Sequence, residues 1–161
     1  MNILKNKETV FLKLTLVLIS LPIIAGCVWG IPWILKEALL YYPKPLVYLV
    51  VAVVYVAVIP YFYALTRANR LLGLIDTNNA FSSDAVKALK HIKICGLAIT
   101  SLYVLILPLI YLVAEVDDAP GILLLALVIM FASFVIAAFA ALLEKLLEQA
   151  IAIKEENDLT V

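Results

Sequence analysis

Four stretches without a single charged side chain set the plan of this chain. Asp, Glu, Lys and Arg are missing from residues 14–35, 45–66, 94–114 and 119–143. At about 1.5 Å rise per residue, a helix over each stretch matches or exceeds the roughly 30 Å hydrocarbon core of a bilayer. Helices of a water-soluble core keep a polar face, and these stretches leave no room for a charged one. The pattern predicts an all-α fold, an integral membrane four-helix bundle forming one transmembrane domain over residues 1–161. The spans are placed at about 12–35, 45–66, 94–114 and 119–143, with a connector at 67–93 and a tail at 144–161.

Between the second and third spans the pattern changes. Arg67-Ala68-Asn69-Arg70 continues the second helix past the membrane, and Asp76-Thr77-Asn78-Asn79 is a turn cluster. Ser82 or Ser83 then caps the next helix, with Asp84 in its first turn favoured by the helix dipole. The third helix thus begins about ten residues before its span. The fourth runs on beyond its span, where Leu143, Leu146, Ala150 and Ile153 follow a 3-4-3 spacing. That stripe is available to the connector or to another protein. Pro22, Pro60 and Pro108 each remove a helical hydrogen bond and are expected to bend spans one to three.

Composition supports the membrane reading. Hydrophobic residues make up 66% of the 161 residues and charged residues only 15%, against about a quarter charged in soluble domains. The distribution of the 12 basic residues sets the orientation. Lys5, Lys7, Lys13, Arg67, Arg70, Lys87, Lys90, Lys93, Lys145 and Lys154 fall on one side, and Lys36 and Lys44 on the other. Basic residues favour the cytoplasmic side. Both termini and the connector are therefore expected in the cytoplasm, with the chain in a bacterial cell membrane and the lipid bilayer as its first partner.

Small residues suggest where helices meet. Gly26 and Gly30 form a G-x-x-x-G pair, and Ser133, Ala137 and Ala141 repeat small residues every four positions; both stripes are candidates for helix packing. Contact within the bundle is expected ahead of a homo-oligomer. Ile24-Ala25-Gly26-Cys27 looks like a lipoprotein cleavage motif, but Val28 to Trp33 continues as apolar as what precedes it. A processed secretory segment normally gives way to a polar chain, so an uncleaved span is expected.

Several chemistries lack their residues. Cys27 and Cys95 lie at depths differing by about 15–20 Å on this topology, too far apart for a disulfide, and there is no C-x-x-C pair. The spans hold no ionisable carboxylate or base of the kind proton and ion pathways use. The acidic turn Glu115 to Asp118 is a solvated loop with too few ligands for a firm metal site. The single His91 has no partner at catalytic or zinc-ligand spacing, and phosphate loops and nucleophile elbows are missing from the sequence. No enzyme activity, cofactor, metal site or direct nucleic-acid binding is expected.

The connector Ala80-Phe81-Ser82-Ser83-Asp84-Ala85-Val86-Lys87-Ala88-Leu89 and the tail Glu155-Glu156-Asn157-Asp158-Leu159-Thr160-Val161 resemble a family of small bacterial four-span membrane proteins, the YoaS-like family, a domain of unknown function. The resemblance extends over nearly the whole length. It implies four spans, no catalytic residues and, through frequent gene neighbourhood, a small helix-turn-helix regulator of the Cro type as cytoplasmic partner. The lipobox-like Ile24 to Cys27 is not assigned to the family pattern. Two functions stay in view: an interaction protein that engages such a regulator, and a small transporter or pore using uncharged polar groups. For the first, the expected docking surface joins Phe81, Lys87, Lys90 and Lys93 of the connector with Leu143, Leu146, Ala150 and Ile153 of the tail. The connector lysines and the tail acids Glu144, Glu148, Glu155, Glu156 and Asp158 can pair with each other or with a partner.

Overall fold

The computed structural model describes residues 2–116 and 118–159, with side chains from residue 10 onward except that of Asp158. Five α-helices follow in order: α1 (Asn2–Ala25), α2 (Ile31–Tyr41), α3 (Lys44–Asp76), α4 (Ser83–Val116) and α5 (Pro120–Leu159). A π-helical turn, Gly26–Gly30, joins α1 to α2, so that together they make the first span. Among the described residues four segments are long and apolar enough to cross a bilayer: Val10–Tyr41, Lys44–Asp76, Ser83–Val116 and Pro120–Asn157. Among the described residues there are no strands. One side of the molecule carries the start of α1, the end of α5 and the connector between α3 and α4; the other carries the two short loops after α2 and α4.

Helix ends obey local rules. Ser82 caps α4, its hydroxyl accepting the Ala85 amide proton at 3.4 Å, and Asp84 lies in the first turn. Pro120 opens α5, where its missing N–H would have no partner anyway. Before it, Asp118 adopts φ 52°, a left-handed turn conformation that Asp tolerates. Pro22, Pro60 and Pro108 all lie inside continuous helices. The first helix reaches back to Asn2, so the first span also extends past the membrane, as the second, third and fourth were expected to do.

The break in the first span comes instead from Pro32. The Ile31 amide donates to the Gly26 carbonyl, one residue further back than in an α-helix. At that spacing the Cys27 carbonyl would receive the next N–H, which Pro32 does not have. The Tyr55 hydroxyl of α3 donates to this orphaned carbonyl at 2.9 Å. A polar group within the span thereby gains its partner from a neighbouring helix. A second such bond runs from the Tyr61 hydroxyl to the Ile19 carbonyl at 3.2 Å. Gly26 and Gly30 flank the π turn, and a Cβ added to either would meet nothing within 4 Å. They do not form the close helix contact expected of the pair.

That contact is made by α4 and α5. The buried positions of α4 include Ala85, Leu89, Gly96, Ile99, Tyr103, Ile106 and Ile110; those of α5 are Ala126, Ala137, Ala140 and Glu144. Steps of three and four alternate from Gly96 to Ile110 on α4 and from Ala137 to Glu144 on α5, the 3.5-residue repeat of a coiled-coil-like antiparallel pair. At Gly96 the two backbones nearly touch: a Cβ there would stand 2.9 Å from the Ala137 Cβ and 2.9 Å from the Ser133 carbonyl oxygen. Ser133 and Ala137 therefore lie in the contact between α4 and α5. Ala141 is only half-buried, and Ala140 takes the following seam position because the period is 3.5 and not 4. The core continues from Ile99, Tyr103, Ile106 and Ile110 to Ala57 of α3 and Ala126 of α5. Packing follows chain order, α1 on α3, α3 on α4 and α4 on α5, with no comparable interface between α1 and α5 among the described residues.

Candidate functional site

Charge gathers where α3, α4 and α5 leave the charge-free windows on the termini side. Lys93 of α4 pairs with Glu144 of α5, whose side chain is only 11% exposed. Glu144 occupies a seam position of the α4–α5 pair, so the bond fixes the register of the two helices where they emerge. Lys13 reaches Asp76 at 3.2 Å and ties α1 to the end of α3. Arg70 and Lys87 share Asp84, at 3.4 Å and 3.7 Å. Arg67 folds back over Tyr63, its guanidinium carbon 4.7 Å from the ring centroid, and donates to the Tyr63 hydroxyl. The Tyr63 ring also meets His91 of α4 edge-on, at 5.8 Å between centroids. His91 Nδ1 lies 2.6 Å from the Lys87 carbonyl; a carbonyl only accepts, so Nδ1 carries the proton in this arrangement.

The expected docking residues separate into two groups. Lys93 is committed to Glu144 inside the molecule. Phe81, Lys87 and Lys90 are exposed on the connector, with Lys87 leaning towards Asp84. On α5 the side chains of Leu143, Leu146 and Ile153 are 50%, 52% and 67% exposed, and Ala150 is half-buried. The stripe therefore runs beside the seam and not within it; Ala140, Glu144 and Leu147 are the residues that turn towards α4 or lie next to it. Sequence reasoning placed the stripe but missed Gly96, Ala140 and the Arg67–Tyr63–His91 cluster. The 3-4 repeat through Ala137, Ala140, Glu144 and Leu147 was the available signal.

On the opposite side, a groove of about 460 Å³ opens between α2, α3 and α4. Trp33, Tyr41, Leu46, Val50 and Ile110 are among its mostly apolar lining, and Glu37 is the one carboxylate among its described lining residues.

Four apolar spanning helices, with charged side chains confined to their ends, define an α-helical multi-pass membrane protein. The chain belongs to the family described as "Protein of unknown function (DUF2975)", which matches residues 33–161. It is also 49% identical to the "Uncharacterized membrane protein YoaS" of Bacillus subtilis (strain 168) over 160 residues, 98% of this chain and 100% of that protein. No solved structure matches it.

Proposed function

We propose that this chain is a cell-membrane interaction protein with both termini in the cytoplasm, and that the projecting end of α5 docks a cytoplasmic partner protein. The orientation rests on ten basic residues against two. The docking reading rests above all on Ile153. It is 67% exposed and stands about 15 Å beyond the last residue of the charge-free window, out of reach of lipid tails. With Leu146 it forms an apolar strip on a helix already held by the Lys93–Glu144 bond. A preorganised helix loses little further freedom on binding. Exposed Glu148, Glu155 and Glu156 border the strip and give specificity more than affinity. The resemblance to the YoaS-like proteins points to a small helix-turn-helix regulator as the partner.

The test is co-purification from native membranes with two variants, one lacking residues 154–161 and one carrying Leu146→Ser with Ile153→Ser. Each substitution removes an exposed apolar side chain, so protein levels are expected to hold while partner recovery falls several-fold. Unchanged recovery from both variants contradicts the docking reading. The groove on the loop side is the observation that favours a transporter instead. Its lining offers the single carboxylate of Glu37 near the span's end, whereas ion-coupled transport draws on ionisable groups within the membrane.

A further inference from the structure

We propose that the strip where α3 meets α4, formed by Tyr63, Arg67, Arg70 and Lys87, binds the phosphate of an anionic glycerophospholipid in the leaflet on the termini side. This inference does not depend on the docking reading.

The charge balance within the strip is uneven. Lys13 with Asp76 and Lys93 with Glu144 each match one cation to one carboxylate. In the strip, Asp84 alone faces both Arg70 and Lys87, and among the described residues no carboxylate pairs with Arg67. Three basic side chains thus meet one acid. A cation at the membrane boundary without a counter-ion is unfavourable unless an anion comes to it.

The geometry favours a phosphate carried by a lipid. Arg67 is the first charged residue after the window 45–66, and its guanidinium turns back over Tyr63, one turn nearer the charge-free window. Its Nε is buried and lacks a hydrogen-bond partner among the described residues. The terminal nitrogens of the guanidinium suit two oxygens of a phosphodiester. The contacts Tyr63–His91 and Arg70–Asp84 share one antiparallel register, which brings Lys87 alongside as a second donor. One turn deeper, Ile59 of α3 and Ile94 of α4 are 69% and 52% exposed. They offer an apolar track for the acyl chains of a lipid whose headgroup sits on Arg67. Free phosphate would gain nothing from that track.

Native mass spectrometry of the full chain in a neutral detergent, with equal amounts of phosphatidylglycerol and phosphatidylcholine, tests this. The wild type is expected to retain phosphatidylglycerol preferentially. Arg67→Gln is expected to reduce the preference about fivefold, the ratio that ~1 kcal/mol per cation near an anionic surface corresponds to. Arg67→Lys, which keeps the charge without the fork, should fall between the two. Lys87→Gln changes an exposed side chain that does not threaten the fold, and is expected to lower the preference as well. Lys154→Gln, outside the strip, should leave it unchanged. Equal retention of the two lipids by the wild type overturns the proposal. So does a preference that survives both Arg67→Gln and Lys87→Gln, or thermal stabilisation by millimolar inorganic phosphate equal to that by phosphatidylglycerol.

Discussion

Gly96→Ala is expected to destabilise the protein by about 1–2 kcal/mol, although alanine is the better helix former by ~0.8–1 kcal/mol. The added Cβ would stand 2.9 Å from the Ser133 carbonyl oxygen and 3.2 Å from the Ala137 nitrogen, both backbone atoms that cannot rotate away. The third neighbour, the Ala137 Cβ at 2.9 Å, is equally fixed. Helices α4 and α5 must separate, and the loss spreads along a seam running from Ala85 to Ile110 on one helix. Gly73→Ala supplies the contrast. A Cβ there meets nothing within 4 Å inside a continuous helix, so the same substitution is expected to stabilise by about 0.5–1 kcal/mol. Unfolding of both variants in detergent micelles measures the opposite signs. A neutral or stabilising Gly96→Ala would mean that the two helices are further apart than described.

Glu144→Ala should have the larger effect, about 2–3 kcal/mol, between the values for exposed and for buried ion pairs. The Glu144 side chain is 11% exposed and that of Lys93 28%. Removing the carboxylate therefore leaves a partly buried ammonium with no counter-charge at the helix seam. Replacing both residues by methionine removes charge and acceptor together, and stability is expected to return to within about 1 kcal/mol of the wild type. That recovery separates a broken pair from a general intolerance of change at position 144. Additive losses in the double variant would show that the two side chains act independently.

The spans were legible because the membrane leaves few choices. A window without charges, long enough to cross, has to become a helix whose backbone bonds to itself, and residues 14–35, 45–66, 94–114 and 119–143 all lie in such helices apart from the π turn and the residue before Pro120. The capping Ser82 and the opening Pro120 were equally plain, since each acts within one turn of chain. The packing was harder to read. In hydrocarbon an apolar residue is as content facing lipid as facing a helix, so Leu105, 74% exposed, and Ile106, 3% exposed, carry no distinguishing mark in sequence. Small residues are the remaining clue, and they misled at Gly26 and Gly30. There the local event is set by Pro32 and the distant hydroxyl of Tyr55. The surplus cation at Arg67 was hidden for a related reason. Only the fold shows which lysines and arginines have already found their acids, and Lys93 had found Glu144 across 51 residues of chain.

A cytoplasmic partner can reach Leu146 and Ile153 only if the end of α5 lies in the cytoplasm. The most direct measurement is therefore the side of the membrane reached by reporters fused after Val161 and inserted beside Asp118. The account predicts that a reporter active only outside the cytoplasm is silent after Val161 and active beside Asp118. Activity after Val161 would place the docking strip on the wrong side of the membrane and contradict it.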